Sequence, residues 1–310
     1  MRILLAAHKE RGVRCLEALL GAGHAVVGVV AHHDAAGRAN AVTAAAERLG
    51  LPLLRPADVN APEAVAALAA LEPEVTVLAG YGQIVRAGVL GVAPRGCVNL
   101  HGGRLPDYRG SSPMNWALMN GDPEVTVCVI AVDLGVDTGD VLGERVLPVG
   151  PDETIAELQE RANAVFPELL VEVLGRLEAG TLQPRRQDPD AGAYWPLRFP
   201  DDGLLLWDRL TAAEVHDRVR ALTDPYPGAF TVHDGRRVRI LRSRLEPRTV
   251  HGEPGRVYRA LPDGLLVCAA DRCLWITRAT FEDGADALPA VPRYARFATA
   301  ATAVLAGVTS

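Results

Sequence analysis

Asn99, His101 and Asp137 are the residues of this chain whose types and spacing suit a single reaction centre. An apolar lead-in ending in Asn99-Leu100-His101 reads as a strand, and strand side chains repeat with period two, so an amide and an imidazole share one face. Asp137 falls in Asp133-Leu-Gly-Val-Asp-Thr-Gly139, directly after a second apolar strand, where the glycines allow a tight loop that can fold back over the histidine. Between the two lies Leu105-Pro-Asp-Tyr-Arg-Gly110, which has no helical or strand periodicity and reads as an exposed, structured loop of the kind that carries sites. A non-titrating amide donor, an imidazole with a reference pKa near about 6.5 and a carboxylate together suit hydrogen-bond donation and proton transfer. Two other chemistries are open to these residues and fit poorly. His101 with Asp107 or Asp137 lacks a third ligand at a recognisable metal spacing, and Ser111-Ser112 has no GxSxG elbow, Ser112 being better read as a helix cap.

The elements that must position these groups alternate in type. Arg2 to Ala6 is apolar, Val13, Leu16, Leu19 and Leu20 recur at helical spacing, and Ala25 to Val30 is apolar again. A helix pattern follows Asn40, another starts at Pro62-Glu63, and strands are expected at Val75 to Ala79, Val98 to Leu100 and Val141 to Leu147. Such alternation implies a doubly wound α/β fold with a mostly parallel sheet, and ligands of such sheets sit at the strands' carboxyl ends, where Asn99 and His101 fall. Ser112-Pro113 opens a helix that Asn120-Gly121 closes, and a long helix runs from Asp152-Thr154 to about Leu177. Beyond it, residues 183–202 are rich in Pro, Asp and Arg without periodicity and read as a linker between a domain at 1–182 and another at 203–310. The second domain opens with the capping box Thr211-x-x-Glu214 and continues in short strands, a small β-barrel-like pattern.

Composition narrows the class. The chain of 310 residues is long enough for two domains, and 49% of it is hydrophobic, as a globular enzyme requires. No apolar stretch reaches the roughly 18 residues of a membrane span, and the N-terminus becomes charged too early for a signal peptide, so a cytoplasmic protein is expected. The five cysteines form no CxxC pair. The turn after the first strand lacks GxGxxG, and the chain has a single lysine, Lys9, and no P-loop, which discounts a nicotinamide enzyme and a P-loop ATPase. The net charge of −6 argues against a protein devoted to holding nucleic acid. From residue 201 onward, 15 Arg face 14 Asp and Glu, so the acidic excess lies in the first part of the chain.

Residue by residue, Asn99, His101, Leu105, Pro106, Arg109 and Gly110, then Asp133, Gly135, Asp137 and Gly139, resemble the motifs of the folate-dependent formyltransferases. Gly103-Arg104 departs from that pattern, where the family carries Ser-Leu. The resemblance implies a Rossmann-like catalytic domain, an open oligonucleotide-binding-like barrel after it, and transfer of a formyl group from 10-formyltetrahydrofolate to an amine, with no metal. It implies Asn99 as donor to the oxyanion, His101 as hydrogen-bond donor and proton shuttle, and Asp137 as the carboxylate that holds the imidazole. It places the folate against Tyr81, Gln83, Ile84 and Val85 and against Asp133, Gly135 and Val136, and the acceptor near Arg104, Arg109 and Ser111.

Branches of the resembling family differ in the amine. Arg198-Phe-Pro-Asp-Asp202 and Asp224-Pro-Tyr-Pro-Gly-Ala-Phe230 lean toward the sugar-nucleotide branch, and the stretch Asp34 to Asn40 holds one basic residue, Arg38, where the tRNA enzymes carry a longer basic loop. The expected acceptor is therefore a small amine, an amino-sugar nucleotide or an amino acid derivative. Methionyl-tRNA is the alternative, supported by the basic run Arg236, Arg237, Arg239, Arg242, Arg244 and Arg248, which also reads as a solvated strand face. An inactive folate-binding or scaffold protein is the reading from another class, and the joint presence of Asn99, His101 and Asp137 argues against it.

Overall fold

The computed structural model describes residues 1–32 and 41–300. The stretch Asp34 to Asn40 with Arg38 lies outside them, so the contrast with a basic loop has no structural counterpart here. The described residues form two compact units, each built from several stretches of chain: residues 1–110, 125–147 and 160–195 in the first, and 111–124, 148–159 and 196 onward in the second.

In the first unit the expected βαβ alternation produces β1 (Arg2–Ala7), α1 (Lys9–Gly21), β2 (Ala25–Val30), α2 (Ala41–Arg48), β3 (Leu53–Leu54), α3 (Pro62–Ala69), β4 (Val75–Ala79), α4 (Ala87–Leu90), β5 (Cys97–His101) and the short β6 (Arg109–Gly110). Strands β1 and β4 are buried almost throughout, because a parallel strand covered on both faces must be apolar along its whole length. After α5 (Pro113–Met119), which belongs to the second unit, β7 (Glu124–Ala131) and β8 (Val141–Pro148) complete a seven-stranded sheet of order β3-β2-β1-β4-β5-β7-β8. Strands β1 to β5 pair in parallel and β7 runs antiparallel to β5, with Asn99 opposite Ile130 and His101 opposite Cys128. The chain winds outward from β1 to β3 on one side and from β4 to β5 on the other, which puts the switch point of the sheet at the carboxyl ends of β1 and β4.

The helix α6 (Ile155–Glu178) follows, and then the stretch expected as a linker. That stretch contains β9 (Tyr194–Trp195), which pairs in parallel with β6, Arg109 beside Tyr194 and Gly110 beside Trp195. Gly110 is required there, because at φ +95° a Cβ would meet the Trp195 carbonyl oxygen at 2.3 Å.

The second unit holds α5, α7 (Ala212–Leu222) and five antiparallel strands, β10 (Ala229–His233), β11 (Arg236–Leu245), β12 (Val257–Leu261), β13 (Gly264–Cys268) and β14 (Cys273–Phe281), in the order β10-β11-β14-β13-β12. The order leaves β10 and β12 at opposite edges, an open arrangement. The Thr211/Glu214 capping box forms as read: Glu214 N donates to Thr211 Oγ1 and Thr211 N to Glu214 Oε2. Ser112 precedes α5 but does not cap it; the residue is left-handed at φ 54° and its hydroxyl faces that of Ser111. Trp207 stacks on Phe297 in the core, its indole N–H satisfied by Thr231 Oγ1 at 3.0 Å. No helix among the described residues is long and apolar enough to cross a membrane.

Candidate active site

Strand β5 places Asn99 and His101 two residues apart near its carboxyl end, and the two differ in how much of their polar capacity is used. His101 is 5% exposed. Its Nε2 lies 2.6 Å from the Tyr108 carbonyl oxygen, which only accepts, so Nε2 carries a proton and the neutral ring keeps its lone pair on Nδ1. That Nδ1 faces Asp137 Oδ1 at 3.5 Å. Burial pushes the His101 imidazole below its ordinary pKa, against the smaller upward pull of the Asp137 charge and the Tyr108 carbonyl, so the neutral ring is the resting form. Asn99 is half-buried, its side chain has no hydrogen-bond partner among the described residues, and it lines a cavity of about 160 Å³.

The loop 133–138 lines that cavity too. Asp137 has φ 54°, a left-handed backbone that an L residue holds only when its surroundings impose it. Three bonds do so. Its Oδ2 accepts the Gly110 N–H at 2.9 Å, and Gln187 Nε2 donates to the carbonyl oxygens of Asp137 at 2.8 Å and Gly139 at 2.7 Å. Asp133 closes the other end of the loop by accepting from the Gly135 N–H at 3.0 Å and from the Thr138 hydroxyl. Gln187 is itself held through its Oε1, which accepts from Arg109 Nε at 3.1 Å and Nη2 at 3.0 Å.

The remaining expected residues separate into those on the cavity and those away from it. Tyr81, Gln83, Ile84, Val85, Asp133, Gly135 and Val136 all line it. Tyr81 stacks on His32, and its hydroxyl is buried without a partner, with its pKa pushed up to about 12 by burial. Gln83 braces the neighbouring loop by accepting from the Val59 N–H at 2.8 Å. Ile84 and Val136 are 74% and 49% exposed, apolar surface at the cavity mouth. Arg109, expected beside the acceptor, is instead 2% exposed, and its guanidinium donates to Gln187 and to the carbonyls of Asp188 and Ala191. Four of its five N–H donors are used in this way to hold the loop. Arg104 is exposed and paired with Asp107 at 3.0 Å, and Ser111 belongs to the second unit. Sequence reading missed Gln187 and the Tyr108 carbonyl, since a backbone carbonyl has no residue signature and Gln187 sits in a stretch without periodicity. Among the described residues no three His, Cys, Asp or Glu side chains gather as metal ligands.

A model of the formyl transferase family matches residues 1–174, and one of the formyl transferase C-terminal domain matches residues 199–289. The chain belongs to the formyl transferase family. It is 40% identical over 291 residues to a protein of Anaeromyxobacter dehalogenans named methionyl-tRNA formyltransferase, covering 91% of this chain and 93% of that one. It is 36% identical over 282 residues to a protein of the same name from Desulfotalea psychrophila, covering 89% and 87%. In fold it resembles the N-formyltransferase of Helicobacter canadensis solved with folinic acid and dTDP-3-aminofucose, with a TM-score of 0.71 at 15% identity, covering 89% of this chain and 98% of that one. It also resembles HypX of Aquifex aeolicus in complex with tetrahydrofolic acid, with a TM-score of 0.65 at 20% identity, covering 91% and 44%. Membership makes this formyltransferase an enzyme and sets aside the scaffold reading.

Proposed function

We propose that this formyltransferase moves the formyl group of 10-formyltetrahydrofolate onto the amine of methionyl-tRNA, with Asn99, His101 and Asp137 as its catalytic residues. The observation that carries the chemistry is the unpartnered Asn99 amide on a cavity that the Asp137 loop also lines, with His101 Nδ1 3.5 Å from Asp137 Oδ1. The cavity is below the roughly 300–1,000 Å³ of a site for a whole drug-sized ligand, and it suits one fused ring better than an entire folate. The buried, unpaired Tyr81 hydroxyl and the backbone of 133–136 offer polar partners for the edge of a pterin. These groups fit the folate, and Tyr81, Gln83, Ile84, Val85, Asp133, Gly135 and Val136 are the residues that hold it.

The Asn99 amide donates to the carbonyl oxygen of the formyl group as negative charge develops there, and it needs no reorganisation because no protein group competes for it. The His101 and Asp137 pair takes the proton from the attacking amine. Nδ1 is the basic ring atom because Tyr108 fixes the proton on Nε2, and the imidazolium that forms meets the Asp137 carboxylate. The new bond joins the amine nitrogen to the formyl carbon, the bond from that carbon to the folate nitrogen breaks, and the proton held by His101 passes to the departing nitrogen.

The choice of methionyl-tRNA is supported by relatives at 35% to 40% identity across most of the chain that bear that name, and it displaces the sugar-nucleotide leaning of the sequence. A small amine is retained as the second reading because of one observation: the β11 arginines are engaged by the protein's own acids and rings, which leaves less free positive charge for a phosphate backbone. The deciding experiment gives the purified protein 10-formyltetrahydrofolate with methionyl-tRNA, amino-sugar nucleotides or small amines, and follows tetrahydrofolate release and acceptor mass. A gain of one formyl group on methionyl-tRNA is expected. Formylation of a small amine with the tRNA left unmodified replaces the first reading by the second, and transfer to no acceptor overturns both.

A further inference from the structure

Strands β13 and β14 set two thiols opposite one another at the turn end of their hairpin, Cys268 against Cys273. The pair is of the non-hydrogen-bonded kind. The Cys268 N–H donates to the Arg256 carbonyl oxygen at 3.1 Å, the Cys268 carbonyl accepts from the Gly255 N–H at 2.8 Å, and the Cys273 N–H donates to the Val250 carbonyl oxygen at 2.7 Å, so the backbone groups of the two residues turn away from each other. The next pair toward the turn is the one that bonds, Ala269 N–H donating to the Arg272 carbonyl at 2.9 Å. At a non-hydrogen-bonded pair the Cα atoms lie about 4.5 Å apart and the side chains are at their closest, within the roughly 4.4–6.8 Å that a disulfide spans between Cα atoms. The two thiols are close enough to shift one another's ionisation. The other three cysteines have no such neighbour: Cys128 is paired in register with His101, Cys97 with Thr76, and Cys15 lies in α1.

Cys268 and Cys273 are buried, and part of what covers them is 246–254, a stretch between β11 and β12 with no helix or strand. Val250 packs on the cluster that the two form with Leu266 and Trp275, and the Cys268 thiol donates to the Gly252 carbonyl oxygen at 3.3 Å. Residues 251–253 are exposed, so this stretch can open without breaking a strand. While it is closed, burial raises both thiols, that of Cys273 to about 12, and keeps them protonated and unreactive; opening hydrates them and restores a thiolate fraction. We infer that Cys268 and Cys273 are a redox-modifiable dithiol, which a hydroperoxide converts to a disulfide joining β13 to β14. One thiolate attacks the peroxide: a sulfur–oxygen bond forms, the oxygen–oxygen bond breaks, and the departing alkoxide or hydroxide takes up that thiol's proton. The second sulfur then displaces the oxygen from the first, the sulfur–sulfur bond forms, and water leaves with the second thiol's proton. Two electrons pass from the sulfurs to the peroxide. The hairpin closed in this way braces α7, since Asp271 Oδ1 accepts the Ala212 N–H at 2.7 Å and the Ala270 N–H donates to the Leu210 carbonyl at 2.9 Å. The inference holds whichever amine the enzyme formylates.

The test treats the reduced full chain with hydrogen peroxide at neutral pH, blocks the remaining thiols with an alkylating agent and maps tryptic peptides by mass. Trypsin cuts after Arg272, between the two cysteines, so the disulfide appears as two joined peptides. The wild type is expected to lose two of its five free thiols, to give those joined peptides, and to recover both thiols in dithiothreitol. Cys268→Ala and Cys273→Ala, shown to be folded by thermal melts, should form no link and leave on the remaining sulfur a sulfenic acid that dimedone captures. A second readout needs no variant: hydrogen exchange at the Ala212 and Ala270 amides should be slower in the oxidised wild type than in the reduced one. Both thiols still open to alkylation after peroxide, sulfinic or sulfonic acid in place of the link, or a link between two chains overturns the inference. Unchanged exchange at those amides in the disulfide form overturns the bracing of α7.

Discussion

The loop 133–139 of the first unit and strand β11 of the second both carry charged residues, and they treat them in opposite ways. In the loop, backbone N–H groups and one glutamine hold Asp137 while Asn99 and the Tyr81 hydroxyl stay without partners on the same cavity. Along β11 the arginines are spent. Arg236 pairs with Asp283 and lies 3.6 Å over the Phe281 ring, Arg237 meets Asp201 and Glu282, Arg239 meets Asp224, and Arg242 meets Glu157. The comparison shows that a charge visible in sequence is not a charge available to a ligand. Reactivity follows polar groups that the fold fixes in place and leaves unsatisfied.

The largest effects that separate the two regions belong to His101. Replacing it with Asn should lower kcat by about 10² to 10⁴ with little change in folate affinity, measured by steady-state kinetics beside a folate titration. With the neutral ring as the proposed base, kcat/KM should fall as pH drops through a value below the ordinary 6.5. The sign for stability is the same. A folded-state pKa below the unfolded one means that the unfolded chain binds more protons between those two values, so stability falls as pH drops through that window, which denaturant melts at stepped pH can read. Next comes Asn99→Ala, expected to cost about 10² to 10³ in kcat with an unchanged melting temperature, since the amide makes no bond to other described residues.

Gln187→Ala should follow, with a smaller loss of kcat and a stability cost of roughly 1–3 kcal/mol, because it frees the Asp137 carbonyl and leaves the buried Arg109 guanidinium short of an acceptor. A variant with wild-type kcat and a lowered melting temperature would show that the glutamine supports Arg109 alone. Smallest of all should be Arg236→Ala and Arg237→Ala, at about 0–1 kcal/mol of stability each and less than a twofold change in the KM for methionyl-tRNA at physiological salt. A large rise in that KM, steepening with salt, would show that the strand's ion pairs open to meet the tRNA and would remove the contrast between the regions.

The sheet was legible because buried parallel strands must be apolar, and Val75 to Ala79 and Ala25 to Val30 announce themselves that way. Period two placed Asn99 and His101 on one face, and the glycines of 133–139 announced a loop. The tautomer of His101 was not legible, since it depends on a carbonyl at Tyr108. Nor was the brace on Asp137. Gln187 reaches it from 50 residues along the chain, out of a stretch whose polar composition has no period because its contacts are hydrogen bonds to carbonyls rather than a packed face. The same brace explains Arg109: its sequence position beside the motif suggested a ligand contact, while its burial and its partners make it part of the support. Ser112 was read as a cap from its type and place before Pro113, and its left-handed backbone turns the hydroxyl toward Ser111.

The most direct test is single-turnover release of tetrahydrofolate from 10-formyltetrahydrofolate with saturating methionyl-tRNA, wild type against His101→Asn. The account predicts a loss of at least about 10² in the rate of the chemical step, with formyl-methionyl-tRNA appearing in step with tetrahydrofolate. Release at the wild-type rate in the variant would contradict it, because the proton would then leave the amine without the imidazole that the Tyr108 carbonyl orients toward Asp137.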